Sequence, residues 1–223
     1  MGDEVQHNIL NPSNKTVRMI LSVLLSVILS VQVTVSAFAA EDENEVQPRL
    51  TTAYYLPVEN IKQINDFWCW AACGASIVNW MTGDDELQSE FCFHCTGNTV
   101  DTTMPLSILM NKLYIYYDIT SIFTEIDSGY SDIQEAPPLL SLYQIKQNID
   151  SGKPIFANLY HWDSEQGHCV VINGYTYNDV LGTGTIKYMD PSVGRYVDMP
   201  YDEFCSNSTW VWLEALYSLE YIG

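Results

Sequence analysis

Basic residues are scarce in this chain: 9 Lys and Arg stand against 28 Asp and Glu in 223 residues, a formal net charge of −19 at pH 7. So few cations cannot assemble a phosphate-binding stripe, which excludes the electrostatic footprint of a nucleic-acid partner. Acidity of this size favours solubility and cationic partners and says nothing about the fold. Histidine is scarcer still, with 4 copies, so few side chains can move a proton near neutrality. Internal repeats and low-complexity tracts are missing, which removes solenoids and biased linkers. The 6 cysteines include one C-x-x-C pair, Cys92 and Cys95 with His94 between them, but no second pair at zinc-ribbon spacing. Neither a metal nor any other cofactor is expected.

What is present suits one globular domain behind a short targeting segment, since 47% of the residues are apolar and 13% aromatic. Lys15 and Arg18 precede an uncharged run that begins at Met19 and closes on Ala37-Phe38-Ala39, an A-x-A cleavage pattern. Residues 1–39 therefore read as a signal peptide, and the chain as secreted or extracytoplasmic. The run as far as Ala40 is also long enough to span a bilayer, so an uncleaved signal anchor is the alternative. Either way, contact with a membrane is confined to that segment. Residues 40–52 are acidic and broken by proline, a linker or short pro-segment. The domain proper is expected over 53–223. Export invites disulfides involving Cys73, Cys92 or Cys95, with Cys169 and Cys205 either buried or paired.

The two halves of that domain differ in period. Trp70, Cys73, Ile77, Val78 and Met81 recur at helical spacing behind Asn65 or Asp66 as cap, and Gly83 supplies the stop. A shorter helix is expected from a cap at Asp84 or Asp85 through Phe91. Another follows Thr102 or Thr103 and Pro105 and runs through Tyr117. After Pro137-Pro138, Ser141 caps a last helix that Gly152 ends. The runs PIFANLYHW, HCVVINGYTY, TIKYMD, GRYVDM and TWVWLEALY then follow as alternating or apolar stretches of β type. The expected class is α+β, a helical lobe packed against an antiparallel sheet or half-barrel with a cleft between them.

One set of residues carries chemistry. Cys69 in the first helical turn would lie at the positive end of the macrodipole, where a thiol ionises more readily. Its own N–H could bind an oxyanion, and Gln63, six residues earlier, could fold its amide back as a second donor. His168 opens an apolar strand after Gly167. Folding the following hairpin about Asp179 sets Asp190 opposite His168, close enough for the carboxylate to orient the ring, provided no bulge intervenes. Asn173 is the weaker substitute for that role, and Asp190-Pro191-Ser192 could instead be a plain turn. The tryptophans read as core, except that Trp162 in the loop before His168 could line the cleft.

The segments LPVENIKQINDFWCWAAC, GKPIFANLYHWDSEQGHCVVINGY and YMDPS together resemble bacterial papain-like cysteine peptidases, in particular the C39-like and the AvrRpt2- and staphopain-like groups. The resemblance spans most of residues 54–205. It implies a papain-like fold and hydrolysis of a peptide or protein substrate through a thioester. In it Cys69 is the nucleophile, His168 the base, Asp190 the orienting residue and Gln63 an oxyanion donor. The glycine-serine lead of plant and lysosomal papains is missing, and aspartate stands where they place asparagine. Three rivals stand beside this reading. They are a silent papain-like binding module, an acyltransferase or amidase using the same thioester, and a Cys92-Cys95 thiol-disulfide oxidoreductase.

Overall fold

The structure, a computed structural model, describes residues 51–126 and 138–223. The signal segment expected at 1–39, most of the linker expected at 40–52, and Pro137 lie outside the described residues. Five helices and seven strands occur among those described, helices mostly first and an antiparallel sheet after them. This is the α+β class expected. No helix among the described residues is long and apolar enough to cross a membrane.

Strand β1, Thr51–Tyr55, begins two residues ahead of the expected domain start. Helix α1, Cys69–Thr82, ends where expected, at Gly83 in the left-handed conformation with φ 80°. Helix α2, Gln88–Thr96, starts later than Asp84 or Asp85 and runs past Phe91. The delay has a cause in α1: Asn79 near its end accepts the Glu86 N–H at 2.6 Å and donates to the Glu86 carbonyl at 3.2 Å, holding the connection as a turn. Helix α3, Leu106–Tyr117, begins behind Pro105. Helix α4, Leu142–Asp150, carries a full capping box, with Ser141 Oγ accepting from Gln144 N–H at 3.2 Å and Gln144 Oε1 accepting from Ser141 N–H at 2.9 Å.

Between α3 and α4 lies β2, Ile119–Glu125, a strand that the helical reading of the N-terminal half did not foresee. Only Ile119 of its seven residues is buried, so its alternation is faint and its pairing with the last strand defines it. The remaining elements are β3 (Ile155–His161), β4 (Gln166–Asn178), β5 (Thr183–Asp190), β6 (Arg195–Pro200), the short helix α5 (Tyr201–Cys205) and β7 (Trp210–Tyr221). The sheet order is β2-β7-β3-β4-β5-β6, with β1 paired to the far half of β4.

Helix α1 packs across β4. Ala71, Ala72 and Ala75 are fully buried in it and keep the approach close, and Cys73 Sγ donates to the Cys169 carbonyl at 3.3 Å. Gly74 has no room for a side chain, since a Cβ there would lie 2.1 Å from Phe91 Cε1. The largest core side chains, Trp68, Trp70, Phe91, Phe156, Phe204 and Trp212, are each at most 2% exposed. Burial of groups this size is worth about 1.5–3 kcal/mol each. Their indole N–H groups are satisfied as well: Trp68 Nε1 donates to Val100 O and Trp70 Nε1 to Thr102 O, which ties the loop ahead of α3 to the start of α1. All six cysteines are free thiols, so the disulfide expected among Cys73, Cys92 and Cys95 is not formed in this structure.

Candidate active site

Helix α1 starts without the side-chain cap that Asn65 or Asp66 was expected to provide. Its N-cap residue is Trp68, which has no capping group. The first helical N–H to find an acceptor is that of Ala72, on Trp68 O at 2.9 Å. Those of Cys69, Trp70 and Ala71 meet no acceptor among the described residues. A helix that keeps its first N–H groups open is a ready anion site, and Cys69 is its first residue.

Asp190 reaches His168 by a route that differs from the simple hairpin. The ladder nearest the turn pairs Asn178 with Thr183, Thr176 with Thr185 and Gly174 with Lys187. Were that register to run on, Asp190 would stand opposite Val171 and point away from His168's face. A bulge at Asn173 intervenes, after which Ile172 pairs with Tyr188 and Val171 with Met189. Extended by one, this sets Asp190 across from Val170, two residues from His168 and on the same face. The pairing is thus diagonal, not directly opposed, and the bulge that was expected to spoil the contact creates it. Its residue is tied down from outside: Leu56 N–H donates to Asn173 O at 2.7 Å and Asn173 Nδ2 donates to Leu56 O at 2.8 Å. Asn173 is fully buried in that contact, which removes it as the orienting group.

The resulting bond joins His168 Nε2 to Asp190 Oδ1 at 2.8 Å. Ser192 donates to the same oxygen through its N–H at 2.9 Å and its Oγ at 2.7 Å. Asp190-Pro191-Ser192 is therefore a turn and a ring anchor at once. With Nε2 occupied, Nδ1 is the ring nitrogen left for a reacting group. Burial opposes the His168 cation, but the Asp190 bond and then Cys69 raise its pKa to about 9. Burial likewise opposes the Asp190 carboxylate, yet His168 and Ser192 hold its pKa below the usual value. The neighbouring Cys169 thiol, then the His168 ring, draw the Cys69 thiol well below 9.0 against its burial. Cys169 and Cys73 shift the opposite way. No hydrogen bond of full geometry joins Cys69 Sγ to His168 among the described contacts, and such contacts commonly tighten around substrate.

Cys69, His168, Asp190 and Gln63 line one cavity of about 660 Å³ between the helical part and the sheet. Gln63 is not a free donor there. Its Nε2 donates to the carbonyls of Asn65 and Asp66, both at 2.9 Å, and its Oε1 is buried without a partner. Trp162, a candidate for the cleft lining, is not part of the wall: its N–H and indole N–H donate to Thr209 O and Asn207 O. Sequence reasoning missed His161, whose ring centre lies 6.0 Å from that of His168 in the same cavity. Burial and the neighbouring His168 charge lower its pKa. It also missed Asn158 in the cavity wall, and it read Ser192 only as part of a turn, not as the donor of two bonds to Asp190. Cys92 and Cys95 lie in α2, and burial raises both pKa values, that of Cys95 to about 12. A redox thiol needs the reverse.

Comparison with known proteins bears on the family and the fold. The model of the Peptidase C39 like family matches residues 55–217. Among solved structures, the crystal structure of UfSP from C. elegans superposes with a TM-score of 0.53 at 12% identity, covering 78% of this chain and 35% of that one. At that identity the likeness concerns the fold alone, which is papain-like. No curated protein matches.

Proposed function

This chain belongs to the Peptidase C39 like family, and from that premise we propose that it hydrolyses peptide bonds with Cys69 as nucleophile and His168 as general base and acid. Asp190 orients His168, and the Cys69 N–H and the Gln63 amide receive the oxyanion. The observation that carries the reading is the 2.8 Å bond from His168 to Asp190 beside a thiol of lowered pKa at an uncapped helix start. The thiolate attacks the peptide carbonyl, and its electron pair forms the new C–S bond as the carbonyl pair moves onto oxygen. When the tetrahedral centre collapses the C–N bond breaks, and His168 Nδ1–H protonates the leaving amine. His168 then takes a proton from water, whose oxygen displaces Cys69 from the thioester and frees the acid product. Gln63 joins by turning one amide hydrogen from the exposed Asp66 carbonyl to the oxyanion.

The same proposal makes the enzyme secreted or extracytoplasmic, on the strength of the signal pattern at Lys15, Arg18 and Ala37-Phe38-Ala39. The test is trapping with the epoxide E-64 followed by mass mapping, alongside turnover of a peptide library. The expected adduct is on Cys69 and disappears in Cys69→Ala together with cleavage. Labelling of Cys92 or Cys95, or none on the reduced protein, overturns the assignment. A labelled Cys69 without peptide cleavage overturns hydrolysis in favour of acyl transfer or another amide.

A further inference from the structure

One buried polar side chain beside the site is left unused by this chemistry. Gln88, the first residue of α2, is 8% exposed. Both ends of its amide are spent on the backbone on either side of Gln63: Oε1 accepts the Ile64 N–H at 3.1 Å, and Nε2 donates to the Lys62 carbonyl at 2.8 Å. Lys62, Gln63 and Ile64 belong to no helix or strand, so no ladder holds them. On the other side, the Gln63 N–H donates to Pro191 O at 2.9 Å, in the turn that directly follows Asp190. The Gln63 backbone is thereby fixed between α2 and the turn of the orienting carboxylate.

We propose that Gln88 is a positioning residue, which sets Gln63 against Cys69, His168 and Asp190. The proposal rests on the peptidase reading above. Glutamine suits the task because one end must accept and the other must donate. Glutamate keeps the acceptor for Ile64 but, when ionised, turns a second acceptor toward the Lys62 carbonyl. Protonated, it regains the donor.

The experiment compares the full chain with Gln88→Glu and Gln88→Met, measuring kcat and KM on a cleaved peptide, the rate of Cys69 alkylation by iodoacetamide, and thermal stability. In Gln88→Glu at pH 7.5, kcat is expected to fall on the order of 10- to 100-fold, the cost of a misplaced catalytic group, with KM little changed. Alkylation uses no oxyanion and should stay within about twofold, since the thiolate is untouched. As the pH is lowered the kcat deficit of Gln88→Glu should narrow, while that of Gln88→Met should not. In a Gln63→Ala background neither Gln88 substitution should cost more, because the group it positions is gone. Unchanged kcat in both variants, an additive loss in the Gln63→Ala background, or kcat and alkylation falling together with stability would overturn the role. Failure of the peptidase reading has a different signature, a native chain that neither cleaves peptide nor takes E-64 at Cys69.

Discussion

Replacing Asp190 by asparagine separates geometry from charge at this site. The amide oxygen can still accept from His168 Nε2 and from both Ser192 donors, whose present distances are 2.8, 2.9 and 2.7 Å. The negative charge is lost. A rise in the His168 pKa from 6.5 to about 9 corresponds to about 3 kcal/mol in favour of the imidazolium. That preference is fully present below pH 6.5 and vanishes as pH climbs through about 9. If Asp190→Asn returns the ring to its ordinary value, the protonated fraction at pH 8 drops from about nine-tenths to about three-hundredths, a loss of about 30-fold. At pH 6 titration alone costs less than about twofold. Two profiles of kcat/KM against pH, supported by iodoacetamide rates at Cys69, measure this directly. The expected result is a basic limb moved down by more than about one pH unit, with a deficit that grows as pH rises. A basic limb unmoved by the substitution refutes the electrostatic account of His168.

Gly74→Ala should destabilise the fold although it gains helix propensity. The gain is about 1 kcal/mol, whereas a Cβ placed 2.1 Å from the buried Phe91 ring adds overpacking of about 1–3 kcal/mol. A urea melt should therefore show a lower midpoint at unchanged slope, and a higher midpoint would contradict the packing. Among the described residues, the cavity lining includes the carboxylates of Asp66 and Glu165 and no Lys or Arg. Peptides bearing Lys or Arg should accordingly show higher kcat/KM than Asp- or Glu-bearing ones, by a margin that shrinks with added salt. Equal rates at low ionic strength would remove charge as a selector.

The elements most legible in the sequence are those with local causes. Helix α4 is announced by Ser141 and Gln144, whose reciprocal bonds form as the motif predicts, and the end of α1 by Gly83. Strands β3 to β7 can be read directly as apolar or alternating runs of β type, β4 being buried at every position from Cys169 to Tyr175. Strand β2 does not, because one buried residue leaves no stripe to recognise. The start of α2 was misplaced for a related reason. The acidic pair Asp84-Asp85 looks like a cap, but the neighbouring turn is held by Asn79 from the previous helix, a contact no local pattern reveals.

The site shows the same division in a sharper form. That Cys69 begins a helix could be read from its apolar period, but the expected cap was wrong, and the error falls on the residue proposed as nucleophile. Asn65 and Asp66 offer their carbonyls to Gln63, not their side chains to the helix. A cap at Asp66 would have spent N–H groups of the first turn, so the missing cap is a local cost consistent with the proposed oxyanion site. Asp190 and His168 illustrate the opposite case, a correct pair reached through the wrong register. A turn displaced from the predicted centre would alone have sent the carboxylate to the other face. The bulge at Asn173, anchored by Leu56 beyond β1, restores the parity. The decisive contact is therefore set by a segment more than a hundred residues away in sequence, and hairpin geometry by itself could not supply it.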